Sequence, residues 1–491
     1  MKYNKLTLVT GLMILMLGVS ACDDQFLNTV PTEDVSDAVV TSNPANMMLG
    51  INGIHRSLYV RYLSCQGCVG LGALMIFADA MGEDVVMTRT TSTWHYGVYQ
   101  FNIQQNASAR DNLFPWLFYY QIVRNANVII AGEENAQGDQ AAIDVAVGQA
   151  LVYRAFSHLM LVQLYGDRYV PGGANGHDGV PIVLTPENEG LPRSSVADVY
   201  AQIHDDLDEA ARRLANYSRP NKSHLDRSVA YGIRARAYLA QGNYPEAANY
   251  AALARTGYPL MSPAELLNGF NDYNVGEWMW ASHITLDQTD RFGNFGANMS
   301  RNNSTIVNRT NPRAINTLLY DQMAATDVRR DWFDPTGEHT DLELPGSFSR
   351  RPYTHQKFIA VSEVDSRMDV PYMRAAEMYL IEAEAKARTG DPTAADVLFD
   401  LVSTRDPNYV RSANTGQALI DEIMTHRRIE LWGEGFRYYD LKRLAQPLDR
   451  TGANHSTQAT GGLFELAADD PRWTFLIPQS EVDANPNINT N

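Results

Sequence analysis

Ala230-Tyr231-Gly232-Ile233-Arg234-Ala235-Arg236-Ala237-Tyr238-Leu239-Ala240 runs into Gln241-Gly242-Asn243-Tyr244 and then into Pro245-Glu246-Ala247-Ala248-Asn249-Tyr250-Ala251. Small side chains stand where two helices must touch, and a Gly-Asn pair supplies the turn. A proline then opens the second run, where its missing N–H costs nothing. The stretch predicts a tight helical hairpin. The same grammar returns over 375–401, where Ala383, Ala385 and Ala387 precede Thr389-Gly390-Asp391-Pro392 and a second run holding Ala394, Ala395, Leu398 and Leu401.

Both units look like tetratricopeptide repeats. A single hairpin cannot bury its apolar face, so several are expected to stack into a scaffold. Outward from the pair, apolar and aromatic residues recur at three and four from 113 to 165: Leu113, Trp116, Leu117, Tyr120 and Val123, then Leu151, Ala155, His158, Leu159 and Val162. That is the amphipathic helical period. Residues 187–192 read as a turn, Ser194-Ser195-Val196-Ala197-Asp198 opens a further helix with serine as its cap, and 217–225 separates that helix from the hairpin. Residues 277–284 read as a strand, whereas 285–313 is polar and rich in Asn, Gly and Arg, with the length of a functional loop. The expectation is a mostly α fold of helical hairpins, with long irregular loop excursions and a few short strands.

Composition is that of an ordinary globular chain: 491 residues, 45% hydrophobic and 20% charged. The formal charge of −17 repels polyphosphates, and with no Lys/Arg run to offset it nucleic acid is set aside as a partner. At the N-terminus, Lys2 and Lys5 precede an uncharged stretch, Leu6 to Ala21, ending in small residues. This is the pattern of an export signal, and it is shorter than the ~20 residues that cross a bilayer. Leu17-Gly18-Val19-Ser20-Ala21-Cys22 looks like a bacterial lipobox, which makes Cys22 the expected lipidation site and the new N-terminus. Asp23-Asp24 resembles a surface-export tag of Bacteroidetes lipoproteins, pointing to the cell exterior. No later segment reads as a membrane span. The organisation expected is a signal at 1–21, an N-terminal region at 22–270 and a C-terminal region at 271–491, the last two packed as one unit.

Cys65 and Cys68 are the other cysteines, in Ser64-Cys65-Gln66-Gly67-Cys68. No βαβ pattern for a redox motif surrounds them, and no second cysteine pair completes a zinc site. A local disulfide and two inert thiols both fit.

Catalytic signatures are missing from the sequence: no G-x-x-x-x-G-K-[ST], G-x-G-x-x-G, H-E-x-x-H or G-x-S-x-G occurs. Glu382 and Glu384 would point to different helix faces rather than form a glycosidase pair. Asp272-Tyr273-Asn274-Val275-Gly276 lacks the terminal acid of a calcium loop, so neither metal nor cofactor is assigned. The material for binding is aromatic. Trp94-His95-Tyr96 lies in a polar setting between Arg89 and Asn102. A pyranose offers a flat C–H face to an aromatic ring and hydroxyls to amides and guanidinium groups at the edge. Trp94, Tyr96, Arg89 and Asn102 are therefore candidate ligand contacts, with Phe292, Phe295 and Asn298 from the polar loop beside them. Arg89 suits a hydroxyl or a peptide carboxylate equally well.

Several stretches together resemble the SusD/RagB-like outer-membrane lipoproteins of Bacteroidetes. Phe26-Leu27-Asn28 with Pro31 resembles the family's opening, with Asn28 where an acid is usual, and Ala375 to Ala385 is similar to its third-repeat helix. The most specific piece is 423–443, which departs at His426 where the family prefers Glu. Leu476-Ile477-Pro478 through Asn485-Pro486-Asn487 to Asn491 resembles the closing motif. Arg427, Arg428, Glu430 and Glu434 are spaced to pair along a helix, a structural rather than ligand-binding role. The resemblance implies a SusD-like helical fold and a non-enzymatic, lipid-anchored outer-membrane protein that captures oligosaccharide for a SusC-like TonB-dependent transporter. It also implies that the repeat side faces the transporter and that the loops near Trp94 and 287–305 form the pocket. Relatives of the RagB kind serve peptide uptake instead.

Overall fold

The computed structural model describes residues 37–90, 94–187 and 190–490. The signal, Cys22, the opening motif at 26–31 and Asn491 lie outside the described residues. Helices α1 (Pro44–Ser57), α2 (Gly70–Ala80), α3 (Arg110–Ala131), α4 (Gln140–Tyr165), α5 (Val196–Arg213), α6 (Arg227–Gln241) and α7 (Tyr244–Arg255) precede a long excursion. Beyond it come α8 (Ala375–Thr389), α9 (Ala394–Val402), α10 (Gly416–Glu430) and α11 (Arg437–Arg443). Each helix from α3 to α7 packs on its successor, and α7 passes the stack to α8 across the excursion.

The hairpins form for the reasons the sequence carries. Asp226 caps α6 by accepting from the Val229 N–H, and Gly242 closes it in the left-handed region at φ +69°. Asn243 then caps α7. Ala235, Ala237, Ala247 and Ala251 are fully buried, which lets the two backbones approach. Gly390 repeats the turn after α8 at φ +75°. Ion pairs fix the order of the stack: Arg154 of α4 grips Asp206 of α5 through two bonds of 2.8 and 2.6 Å, and Arg255 of α7 meets Glu382 of α8 at 2.7 Å. Glu384 is held instead by Arg388 and Arg443, so the two acids do face apart. Helix α4 corrects one expectation, being long and apolar enough to cross a membrane. Its apolar surface is instead covered by α3, α5 and α1.

The excursion is built on short strands. β1 (Val85–Met87), β3 (Arg313–Ile315), β5 (Thr354–His355) and β4 (Phe333–Asp334) form one antiparallel sheet in that order, with Val85 opposite Ile315 and Met87 opposite Arg313. β2 (Trp278–Ser282) pairs with β6 (Val370–Arg374) where the sequence predicts a strand. Trp280 of β2 sets its ring edgewise on Phe156 of α4 at 5.1 Å, and one apolar core runs from Met47 to Ile488 across residue 270.

Beneath the excursion lies a charge cluster that water does not reach. Glu277, Glu430, Glu434 and Asp327 face Arg374, Arg405, Arg329 and Lys357, and all eight are buried. Glu430 accepts from Arg374 and Arg405, each at 3.0 Å, and from Arg329 at 3.1 Å. Glu434 takes Arg374 and Lys357 at 2.7 Å each, and Arg405 continues to Glu277 at 2.8 Å. Three guanidinium groups hold the Glu430 carboxyl far below the usual range despite its burial. Pairing along the helix is thus overturned. Glu430 ends α10, and the left-handed Gly433 turns the chain before Glu434, so each partner comes from elsewhere. Arg427 bonds Asp440, Arg428 bonds Asp84, and His426 accepts from Arg329.

Neutralising one member of such a cluster leaves buried charge uncompensated. Glu430→Gln is expected to lower unfolding free energy by about 3–5 kcal/mol in urea titrations. A loss below about 1 kcal/mol contradicts the role given to the cluster.

Candidate functional site

Residues 61–69 form a small closed loop between α1 and α2. Arg61 and Val69 bridge its ends, the Tyr62 N–H donates to the Cys68 carbonyl at 2.9 Å, and a disulfide joins Cys65 to Cys68. Gly70 starts α2 at φ +55°, where a Cβ would sit 2.0 Å from the Leu58 carbonyl oxygen. No other residue fits that exit from the loop. Asp111 lies near both sulfurs, but the S–S bond leaves no thiolate to hold a metal.

Two aromatic residues distant in sequence rest on this loop. A Cβ at Gly67 would lie 2.6 Å from Trp94 Cβ, so the glycine is the seat of the tryptophan. His95 is buried and bonds the Gly67 carbonyl at 3.3 Å, and its ring meets Phe77 edge-on at 5.2 Å. Burial pushes the His95 imidazole down to about 3, so it holds the loop as a neutral group. Trp94 itself remains 39% exposed. On the neighbouring residue, the Gln66 carbonyl lies where a Cβ on Gly293 would need space, at 2.5 Å. Phe292, 54% exposed, stands on that turn. Asp290 shapes it by accepting from the Phe292 and Gly293 N–H groups while Arg61 grips the same carboxylate at 2.6 and 2.7 Å. The Arg291 guanidinium lies 5.5 Å from the Phe292 ring.

The sheet supplies the other edge. The Tyr96 hydroxyl donates to the Arg89 carbonyl, the Arg89 N–H donates to Asn311 Oδ1 at 3.0 Å, and Thr88 donates to the Pro312 carbonyl at 2.8 Å. Desolvation raises the Tyr96 phenol to about 12, keeping it a donor. Trp94, Tyr96, Arg89 and Phe292 are thereby brought together through the 61–69 loop and the β1–β3 edge, and Arg89 is exposed.

Three expected contacts are placed differently. Asn102 is exposed but lies beyond the short helix Tyr96–Tyr99, bonded to Gln100 at 3.2 Å. Phe295 and Asn298 are corrections, at 4% and 2% exposure. The polar loop folds into a short buried helix, Phe295–Met299, capped by Asn294. Phe295 packs edgewise on Phe358 at 5.1 Å, and Asn298 donates to the Gly293 and Asn294 carbonyls at 3.2 and 3.1 Å. They brace the Phe292 turn from within. The sequence reading missed Gly67 and the cysteine loop as the seat of the site, and Asn311 as its clamp. The glycine between the cysteines is the one local signal of that seat. A groove of about 670 Å³ runs between α3 and the helix Gln479–Ala484, and none of the candidate residues lines it.

Residues 245–491 match the model of the SusD family, and residues 71–239 match a model described as starch-binding and associating with the outer membrane. SusD-like protein P2 of Formosa agariphila is 25% identical over 423 residues, 77% of this chain and 79% of that protein. A crystal structure of a SusD-like carbohydrate binding protein from Bacteroides vulgatus superposes with a TM-score of 0.80 at 26% identity, covering 91% of this chain and 97% of that one. A laminarin binding SusD-like protein shares the fold at TM-score 0.68 and 20% identity, over 92% and 99% of the chains. With half of its length matched by the family's own model and its helical architecture shared with these structures, the chain belongs to the SusD family.

Proposed function

We propose that this chain is a cell-surface lipoprotein, tethered to the outer membrane through Cys22, that binds oligosaccharide without transforming it and delivers it to a SusC-like TonB-dependent transporter. The observation that carries this reading is the seat of Trp94. A large aromatic ring is left open to solvent while its backbone is clamped by Gly67, by buried His95 and by a disulfide-closed loop. A ring immobilised before ligand arrives loses little freedom on stacking against a sugar face. Phe292 adds a second apolar surface, and Arg89 and Arg291 offer donors to hydroxyls at the edge. Two further facts support a glycan over a peptide: the carbohydrate named for the Bacteroides vulgatus protein and the laminarin named for the other neighbour. The non-catalytic reading draws support from Glu382 and Glu384, which face apart and are spent on internal ion pairs. The lipobox supports the anchor, since several acyl chains hold a protein at a bilayer where one does not.

Trp94→Ala is expected to weaken oligosaccharide binding at least about tenfold in calorimetry, about 1.4 kcal/mol, with the thermal midpoint unchanged. Equal affinity for the variant contradicts the platform. If a panel of neutral and acidic oligosaccharides gives no response while peptides bind, the RagB-type role in peptide capture replaces the glycan reading. Cys22→Ser is expected to move the protein from the outer-membrane fraction to the soluble fraction. An unmodified N-terminus in the mass spectrum of the native protein contradicts the anchor.

A further inference from the structure

The chain is strongly acidic overall, yet the loops that make up the candidate face are basic. Residues 88–90, 94–106 and 285–313, with the adjoining segment 346–355, hold seven arginines and two aspartates within a chain of net charge −17. One of those aspartates, Asp290, is already engaged by Arg61, and Arg350 is met by Glu338 at 3.2 Å. Among the described residues, no carboxylate lies within ion-pair distance of Arg89, Arg291, Arg301, Arg309 or Arg351, although most arginines elsewhere in the chain have one.

Their arrangement joins them to the Trp94 loop. Arg89 is bonded through its N–H to Asn311, two residues beyond Arg309 on the helix Ile306–Thr310. The Arg309 carbonyl accepts from the Ser349 N–H at 2.7 Å, and the Ser349 carbonyl accepts from Arg301 at 2.8 Å. Arg351 follows two residues on. Arg301 is fully buried with its Nε and Nη1 unpartnered, and the Nε atoms of Arg309 and Arg351 are also buried and unpartnered. Burial and the neighbouring Arg350 bring the Arg301 guanidinium down to about 10, against the opposing pull of Asp334. Asp334 is not within ion-pair distance of Arg301, and its oxygens accept from the Thr336 and His339 N–H groups. Unpaired, partly desolvated guanidinium groups are costly unless a ligand supplies the missing charge, and their planar forks fit carboxylate and sulfate groups.

We propose that the oligosaccharide taken at the Trp94 face is anionic, its carboxylate or sulfate-ester groups meeting Arg89 and Arg309 while the sugar rings stack on Trp94. This deepens the glycan reading and rests on it. Arg301 and Arg351 keep the field behind the contact positive, and a charged glycan approaching an otherwise acidic surface is drawn to this face.

Calorimetry of the full mature chain at 50 and 500 mM NaCl tests it with four probes: oligogalacturonate, a sulfated galactan oligosaccharide, neutral laminarin oligosaccharide and an oligoglutamate peptide. The expected result is binding of an acidic glycan that weakens at least about tenfold at the higher salt. Arg89→Gln and Arg309→Gln should each weaken it by about three- to tenfold, with Arg212→Gln, an exposed change on α5, leaving it unmoved. Whichever of the uronate and sulfate arms binds tighter identifies the group. Neutral laminarin bound as tightly as either acidic glycan, with no salt dependence, overturns the proposal and leaves the glycan reading standing. Acidic glycan binding that neither arginine variant changes also overturns it. Response to the peptide alone overturns both.

Discussion

Glu430 is a carboxylate with no access to water, held by three guanidinium groups that come from β6, from the segment after α9 and from the short 3₁₀ helix Val328–Trp332 before β4. Desolvating an ion is so costly that such a group tolerates one arrangement of its surroundings, the one in which every charge is met. Because Arg374 stands at the start of α8 and Arg329 belongs to the excursion, the end of the helical stack and the beginning of the irregular loops are placed by a single cluster. Lys357 and Glu434 extend the constraint to the irregular segment that follows β5. Apolar burial supplies the driving force for the stack. The charge cluster supplies its register with the loops.

That division separates a rigid frame from a face free to bind. The binding proposed needs rings and donors that do not move, and the structure secures these by close backbone approach together with the Arg61–Asp290 pair. Gly67 and Gly293 let two loops touch the same disulfide-closed turn, so that Trp94 and Phe292 are fixed at their Cα positions while their rings stay open. In the role proposed above, such a face holds its ligand by shape and charge and releases it unchanged.

The hairpins are legible because their signals are local: the small residues, the Gly242 and Gly390 turns, the prolines that follow them, and the serine cap at Ser195 all act within a few residues. Arg427, Arg428, Glu430 and Glu434 read as partners along one helix because a three- or four-residue interval looks the same whether or not the helix ends at Glu430 and Gly433 turns the chain away. The exposed Trp94 and Phe292 were legible as aromatics in polar surroundings. Phe295 and Asn298 share that setting, but Phe295 is buried against Phe358 and the Gly72 face of α2, and Asn298 is spent on the Gly293 and Asn294 carbonyls, which no local pattern announces. The contact of Gly67 with Trp94, and that of Gln66 with Gly293, are tertiary, so the seat of the site lay beyond the reach of spacing.

Hydrogen exchange of the mature protein, measured with and without a saturating oligosaccharide, tests the separation of frame and face most directly. The account predicts new protection in residues 61–69, 94–99 and 290–294, with α6, α7, α8 and the Glu430 cluster unchanged. Protection confined to the hairpins, or to the groove between α3 and residues 479–484, would contradict it.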